Sequence, residues 1–228
     1  MEFQRTLYSV IDNNLYKGKV IIIYGARRVG KTTLCKKFVK NHPYSQYINC
    51  ELAQYRSVLE TTNSELLKDF LGAYKLVVLD EAQNISNIGQ VLKVLIDTFP
   101  DIQIIATGST SFGLGNQVKE PLTGRSRQYI LYPLSIEEIT HYYNIIDIKA
   151  RLSNILRYGL YPEILGNTEQ EAIEELYNIS SNYLYKDILH FEQVKRADLI
   201  FKLLKAIALQ IGNEIRYNEL ANLLGENI

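Results

Sequence analysis

The segment Gly25-Ala26-Arg27-Arg28-Val29-Gly30-Lys31-Thr32 spaces its glycines, lysine and threonine as G-x-x-x-x-G-K-[ST]. It follows the apolar run Val20-Ile21-Ile22-Ile23-Tyr24 and precedes a helical pattern. Glycines let a backbone curl without Cβ clashes, so successive N–H groups of such a loop can aim at phosphate oxygens, helped by the positive end of the helix that follows. Lys31 then reaches the β- and γ-phosphates, and the Thr32 hydroxyl fills one coordination position of Mg2+. Further on, Asp80 and Glu81 close a second apolar run, Leu76-Val77-Val78-Leu79. Asp80 can hold Mg2+, directly or through water, and Glu81 can orient or polarise a water that attacks phosphorus. Alone, an acidic pair after four apolar residues is commonplace. The glycine-lysine loop roughly fifty residues upstream gives it meaning as the second half of one site.

Two more groups have usable chemistry. Thr107-Gly108-Ser109-Thr110-Ser111 follows the run Ile102 to Ala106. Its hydroxyls either sense the γ-phosphate or its water, or belong to an ordinary Ser/Thr/Gly loop. Arg125 stands just before the strand-like Gln128-Tyr129-Ile130-Leu131-Tyr132. It either stabilises charge on a transferring phosphoryl group, in cis or from a neighbouring subunit, or is a surface arginine.

The elements that must position these residues are legible from periodicity. A lead-in helix is expected over Glu2 to Leu15, with Leu7, Val10, Ile11 and Leu15 on one face, then a strand over 20–24 and a helix to about Lys40. Gln46 to Cys50 reads as a second strand, Glu51 to Leu71 as mostly helical, and the stretch Lys75 to Glu81, an apolar run closed by an acidic pair, as a buried central strand. Ser86 or Asn87 can cap a helix whose stripe is Ile88, Val91, Leu92, Leu95 and Phe99. Strands over 102–106 and 128–132 complete the set. Ser135 with Glu138 three residues on is a helix-start signature, and only helices are expected beyond it: 139–143, 150–158, 169–189 and 197–211. The shift from alternating strand and helix to helix alone marks a boundary near Pro133 to Ile145.

Composition bounds the class. With 228 residues, 46% hydrophobic and 22% charged, the chain is ordinary globular material rather than disordered. Lys+Arg and Asp+Glu are both 25, which excludes a wholesale nucleic-acid footprint while leaving room for a local patch. No apolar run approaches the ~20 residues that span a bilayer, and the opening residues do not read as a signal peptide, so a cytoplasmic protein without membrane attachment is expected. Cys35 and Cys50 lack metal-ligand spacing and read as small apolar residues.

The chain resembles the P-loop ATPases of the AAA+ superfamily, of the AAA_14 kind that precede a DUF4143-type C-terminal region. The matching stretches are GARRVGKTT at 25–33, LVVLDEAQ at 76–83, IIATGSTS at 104–111, LTGR at 122–125 with YPLSIEEI at 132–139, GLYPEIL at 159–165 and YKDIL at 185–189. The resemblance implies a three-layer α/β/α fold around a parallel five-stranded sheet in order 5-1-4-3-2. A nucleotide-binding domain over 1–140 is followed by a helical region over 141–212 and the start of a winged helix over 213–228, where the family's C-terminal region is cut short. It implies that ATP or ADP with Mg2+ is held by the loop residues Gly25, Arg28, Val29, Gly30, Lys31, Thr32 and Thr33. Thr32 and Asp80 would hold the metal and Glu81 would serve as the second acidic residue. Ser109 takes the sensor position at the end of strand four, Arg125 an arginine role, and Pro162 the nucleotide contact of a glycine-proline motif in which Leu160 stands where a second glycine is commoner.

The expectation is therefore an ATPase producing ADP and phosphate and acting as a nucleotide-driven switch. The rival is a nucleotide-gated DNA- or protein-binding module with negligible hydrolysis of its own. A small-molecule kinase is disfavoured because the acidic pair and the sensor-like strand end point to water as nucleophile. If Arg125 acts in trans, the chain must form a homo-oligomer. A DNA or protein partner is expected through the C-terminal region.

Overall fold

The apolar runs become the inner strands of one sheet. In the computed structural model, β1 (Val20–Tyr24), β2 (Ser45–Asn49), β3 (Leu76–Asp80), β4 (Gln103–Gly108) and β5 (Ser126–Ile130) lie in the order β2-β3-β4-β1-β5. Every neighbouring pair is parallel, and the order is 5-1-4-3-2 read from the other edge. The structure describes residues 2–109, 114, 115, 118, 120–184 and 197–225. Strands β1, β3 and β4 are buried at every residue, which requires apolar side chains on both faces and explains why they read as runs and not as alternations. Strands β2 and β5 are the partly exposed edges.

Each face of the sheet is covered by helices. Ile21, Ile23, Val78 and Ile105 pack under α1 (Thr6–Asp12) and α2 (Lys31–Asn41), against Ile11, Leu34, Cys35 and Phe38. On the other face Val20, Ile22, Val77, Leu79 and Ile104 meet α3 (Ala53–Leu59), α4 (Ser64–Leu71) and α5 (Ile88–Thr98) through Leu59, Leu67, Leu71, Val91, Leu92 and Leu95. Alternate residues of each strand thus feed opposite layers. Fully burying one such side chain contributes about 1.5–3 kcal/mol.

Several boundaries differ from expectation, each for a physical reason. Helix α1 starts at Thr6, because Arg5 is extended and spends its side chain on distant partners. The stretch 51–71 is two helices, since Asn63 accepts from the N–H groups of Glu65 and Leu66 and starts α4 afresh. Asn87 holds the cap position of α5 in a left-handed conformation without a side-chain cap bond, while the Ser86 hydroxyl goes to Glu60. Strand β4 runs on through Thr107 to Gly108, and β5 begins at Ser126, two residues early, because pairing from Val20↔Ser126 to Tyr24↔Ile130 fixes its register.

Three short helices follow the sheet: α6 (Ile136–Thr140), α7 (Ile145–Ala150) and α8 (Leu152–Tyr158). The capping box at Ser135 and Glu138 is present. The chain divides into two compact units, Met1–Asn167 and Thr168–Ile228. The first extends past the last strand because Leu134, Ile139, Ile148 and Leu165 share a cluster with Phe3, and because Leu134 N–H donates to the Leu160 carbonyl. In the second unit, α9 (Glu169–Asn178) starts at a Thr168–Glu171 capping box and passes into a π-helical turn, Ile179–Leu184. There α10 (Ala197–Leu209) packs on α11 (Tyr217–Leu224). Thr110, Ser111 and the YKDIL stretch at 185–189 lie outside the described residues.

Candidate functional site

The carboxyl ends of β1, β3 and β4 carry the site. Ile23 pairs with Thr107 and Leu79 with Ala106, so the next rung sets Asp80 beside Thr107, with Asn49 of β2 opposite Asp80. Between β1 and α2 the loop turns through two left-handed residues, Arg28 at φ 65° and Gly30 at φ 97°. A Cβ on Gly25 would sit 2.5 Å from the Leu131 carbonyl oxygen, so only glycine fits there.

Lys31 is buried, and its ammonium donates to the carbonyls of Gly25 at 2.9 Å and Ala26 at 3.0 Å. Burial pushes its pKa below the ordinary lysine value, against the upward pull of the Glu81 and Asp80 carboxylates. A buried cation whose ammonium is held by loop carbonyls can exchange those weak acceptors for phosphate oxygens. The residues therefore fit an anionic ligand.

Asp80 is buried, at 2% exposure, and three hydroxyls converge on it. Thr32 Oγ1 donates to Oδ2 at 2.7 Å, the Tyr47 hydroxyl donates to the same oxygen at 2.5 Å, and Thr107 Oγ1 donates to Oδ1. A buried carboxylate needs such donors. Burial and the bond to Asp80 push the Tyr47 phenol far above its ordinary pKa, so it stays a donor. Thr32 and Asp80 together offer two hard oxygens at one point. That is the sparse donor set a Mg2+ ion takes from protein when water and phosphate complete its shell.

Glu81 follows in a left-handed conformation, φ 54° and ψ 45°, a backbone that costs a non-glycine residue about 1–2 kcal/mol. Its surroundings enforce it: Thr107 Oγ1 accepts from Glu81 N–H at 3.1 Å, Asn84 Nδ2 donates to the Glu81 carbonyl at 2.8 Å, and Gln83 Nε2 donates to its carboxylate at 2.5 Å.

A small cleft of about 60 Å3 adjoins the loop at Gly30, lined also by Phe3, Arg5, Thr33, Lys37 and Pro162 among others. Beside it Arg28 pairs with Glu163 at 2.9 Å, tying the loop to the residue after Pro162. Ser109 lies buried one residue past β4, and Gly108 pairs with Tyr24, so Ser109 is level with Gly25. Val29 is buried within the loop.

Arg125 is not brought to this place. Its carbonyl accepts from Val20 N–H and Ser126 pairs with Val20, which puts it at the amino ends of the strands. Its guanidinium is partly exposed and bonds to Asp97 at 2.7 Å. At about 3.3 Å per residue, roughly 20 Å of sheet separates it from the level of Gly25. At that distance the cis alternative for Arg125 has no contact with this chain's own phosphate loop.

The similarity to known proteins agrees with this geometry. Residues 17–140, more than half of the chain, match the family model AAA_14, described as an AAA domain. The chain belongs to the AAA+ family of P-loop ATPase domains. Residues 149–227 match a domain of unknown function, DUF8612, in the stretch for which the resemblance pointed to a DUF4143-type region. The uncharacterized protein MJ1544 of Methanocaldococcus jannaschii is 29% identical over 95% of this chain and 52% of its own length. An uncharacterized protein of Haemophilus influenzae is 24% identical over 89% of this chain and 54% of its own. The chain thus spans about half the length of the curated relatives it matches. The Walker-type ATPase PABY2304 of Pyrococcus abyssi superimposes with a TM-score of 0.60 at 19% identity, over 98% of this chain and 88% of that one, and so shares its fold.

Within this AAA domain, sequence reasoning missed Tyr47, Thr107 as the shared partner of Asp80 and Glu81, and Gln83. Thr107 had a signal, as the first hydroxyl of the cluster 107–111 and the one that directly continues the buried run Ile104-Ile105-Ala106. Tyr47 had none, because an aromatic in an edge strand is ordinary.

Proposed function

We propose that the chain binds ATP with Mg2+ on the 25–33 loop and hydrolyses it to ADP and phosphate. The convergence of Thr32 and Asp80 at the strand ends, beside buried Lys31, is the observation that carries this reading. The N–H groups of the loop and the Lys31 ammonium hold the β- and γ-phosphates, and Thr32 and Asp80 offer oxygens to the metal. Bound Mg2+ would neutralise phosphate charge as it develops. Glu81 orients the attacking water and accepts its proton, and Ser109, level with the loop, senses the γ-phosphate side. The cleft beside Thr33 and Pro162 receives the base. Gly25, Arg28, Val29 and Gly30 shape the cradle.

A second reading has its own support. Lys31 is folded onto loop carbonyls, Glu81 is held by Gln83, and Arg125 lies far from its own site. These contacts favour a nucleotide-held switch with slow turnover in a single copy, in which Arg125 acts only on a second copy. The sequence of 213–228 resembles the opening of a winged helix, through which DNA or a protein would be engaged.

Phosphate release measured over a range of protein concentrations, beside Lys31→Ala and Arg125→Ala, tests both. Turnover that needs Lys31 and rises faster than protein concentration, with the excess lost in Arg125→Ala, supports hydrolysis by an assembled oligomer. Tight binding with no turnover above Lys31→Ala at any concentration leaves the switch alone standing. Wild-type protein that binds no nucleotide overturns both.

A further inference from the structure

Arg5 belongs to none of the motif stretches, yet it is buried, at 8% exposure, just before α1. Its guanidinium reaches three parts of the chain that are far apart in sequence. Nε donates to Glu138 Oε1 at 3.1 Å, Nη1 to the Val29 carbonyl at 2.6 Å and Nη2 to the Tyr132 carbonyl at 2.5 Å. Glu138 is itself fixed, accepting from Thr6 N–H at 2.8 Å and Ser135 N–H at 3.0 Å. Taking a charged pair out of water is costly unless every donor finds an acceptor. Here the acceptors come from rigid places, so the fork is held in one orientation.

The bond to Val29 bears on ligand binding. Val29 sits between the left-handed residues Arg28 and Gly30. Successive N–H groups in such a turn form an anion-binding concavity only when their peptides face the right way. A trans peptide is planar, so the Val29 carbonyl and the Gly30 N–H point in opposite directions. By fixing the carbonyl, Arg5 fixes the N–H facing away from itself. Rotating this peptide is cheap because Gly30 has no Cβ to clash, and the rotated form would turn carbonyl lone pairs toward an anion.

We propose that Arg5 is a positioning residue for oligophosphate binding: it holds the Val29 carbonyl outward and so keeps the Gly30 N–H presented to a phosphate in the loop. The proposal rests on reading residues 25–33 as a phosphate site. It assigns Glu138 the task of holding the guanidinium in place.

The test titrates Mg2+-tripolyphosphate, which has no base to contact the cleft, into wild type, Arg5→Gln and Arg5→Lys by calorimetry. Lysine keeps a cation beside Glu138, but one ammonium cannot span three acceptors. The expected result is a Kd raised about tenfold or more in Arg5→Gln and less in Arg5→Lys, since each bond to an ionised group is among the stronger kind, with a stoichiometry near one site per chain throughout. A merely structural residue would lower the stoichiometry through lost folded protein while leaving Kd unchanged. That result, or wild-type Kd at full stoichiometry, overturns the proposal. If Arg5→Gln does not fold, Arg5→Lys is judged by the same two quantities. Wild-type protein that binds no tripolyphosphate overturns the phosphate-site reading itself, which is a different failure.

Discussion

Thr32 Oγ1 donates to Asp80 Oδ2 at 2.7 Å, joining the first turn of α2 to the end of β3 across 48 residues of sequence. The bond fixes the direction of both oxygens before any ligand arrives. If this pair is the metal site, Asp80→Asn removes the carboxylate charge and leaves one oxygen, which cannot serve both the Oδ2 donors Thr32 and Tyr47 and the Oδ1 donor Thr107. The Mg2+ concentration needed for half-maximal nucleotide binding should then rise about tenfold or more, equivalent to about 1.4 kcal/mol. Unchanged Mg2+ dependence in a fluorescence titration would remove Asp80 from the metal's shell.

Thr107 serves two neighbours with one hydroxyl, donating to Asp80 and accepting from Glu81 N–H. Thr107→Val keeps the shape but leaves a buried acceptor and a buried N–H without their partner, at a cost of about 1–3 kcal/mol. For a chain of this size each kcal/mol lowers the thermal midpoint by about 2–4 °C. The midpoint should fall by several degrees and turnover should drop, with Thr107→Ser close to wild type in both. Thr107→Val indistinguishable from wild type by calorimetric scan and phosphate release would contradict the linkage.

The Arg5–Glu138 pair gives a pH dependence whose sign is fixed. Burial pushes the Glu138 carboxyl up, but the N–H groups of Ser135 and Thr6, together with the Arg5 guanidinium, outweigh it and hold the pKa below its ordinary value of 4.5. A carboxyl with a lowered folded pKa contributes stability that is complete above 4.5 and is lost as pH falls through the folded value. The gap in thermal midpoint between wild type and Glu138→Gln should therefore be widest near neutral pH and close below pH 4.5. A gap that widens on acidification would reverse the assignment.

The sheet was legible because buried parallel strands must be apolar on both faces. Val20–Tyr24 is recovered to the residue, and Leu76–Asp80 falls within the stretch Lys75 to Glu81 that the apolar run marked. Edge strand β5 was misplaced because one-sided exposure leaves little pattern, and only its pairing with β1 sets where it starts. Lys31 and Thr32 were visible because their spacing along one strand-loop-helix unit encodes their proximity, and Asp80 because it closes a second buried apolar run, the neighbour of β4 in the same parallel sheet. Arg5 was not, since its partners Val29, Tyr132 and Glu138 are joined to it only through the fold. Arg125 shows the converse: a local motif named the residue, but register put it at the amino ends of the strands, opposite the site.

Glu81→Gln tests the central claim most directly, because the amide keeps the size of the side chain and loses only the proton acceptor. ATP binding and phosphate release are to be measured on the same preparation with Mg2+, beside Lys31→Ala. The account predicts ATP affinity within about threefold of wild type and turnover reduced by about 100-fold or more, the range expected of a lost general base. Lys31→Ala should weaken binding itself. Undiminished phosphate release from Glu81→Gln would contradict the role assigned to Glu81.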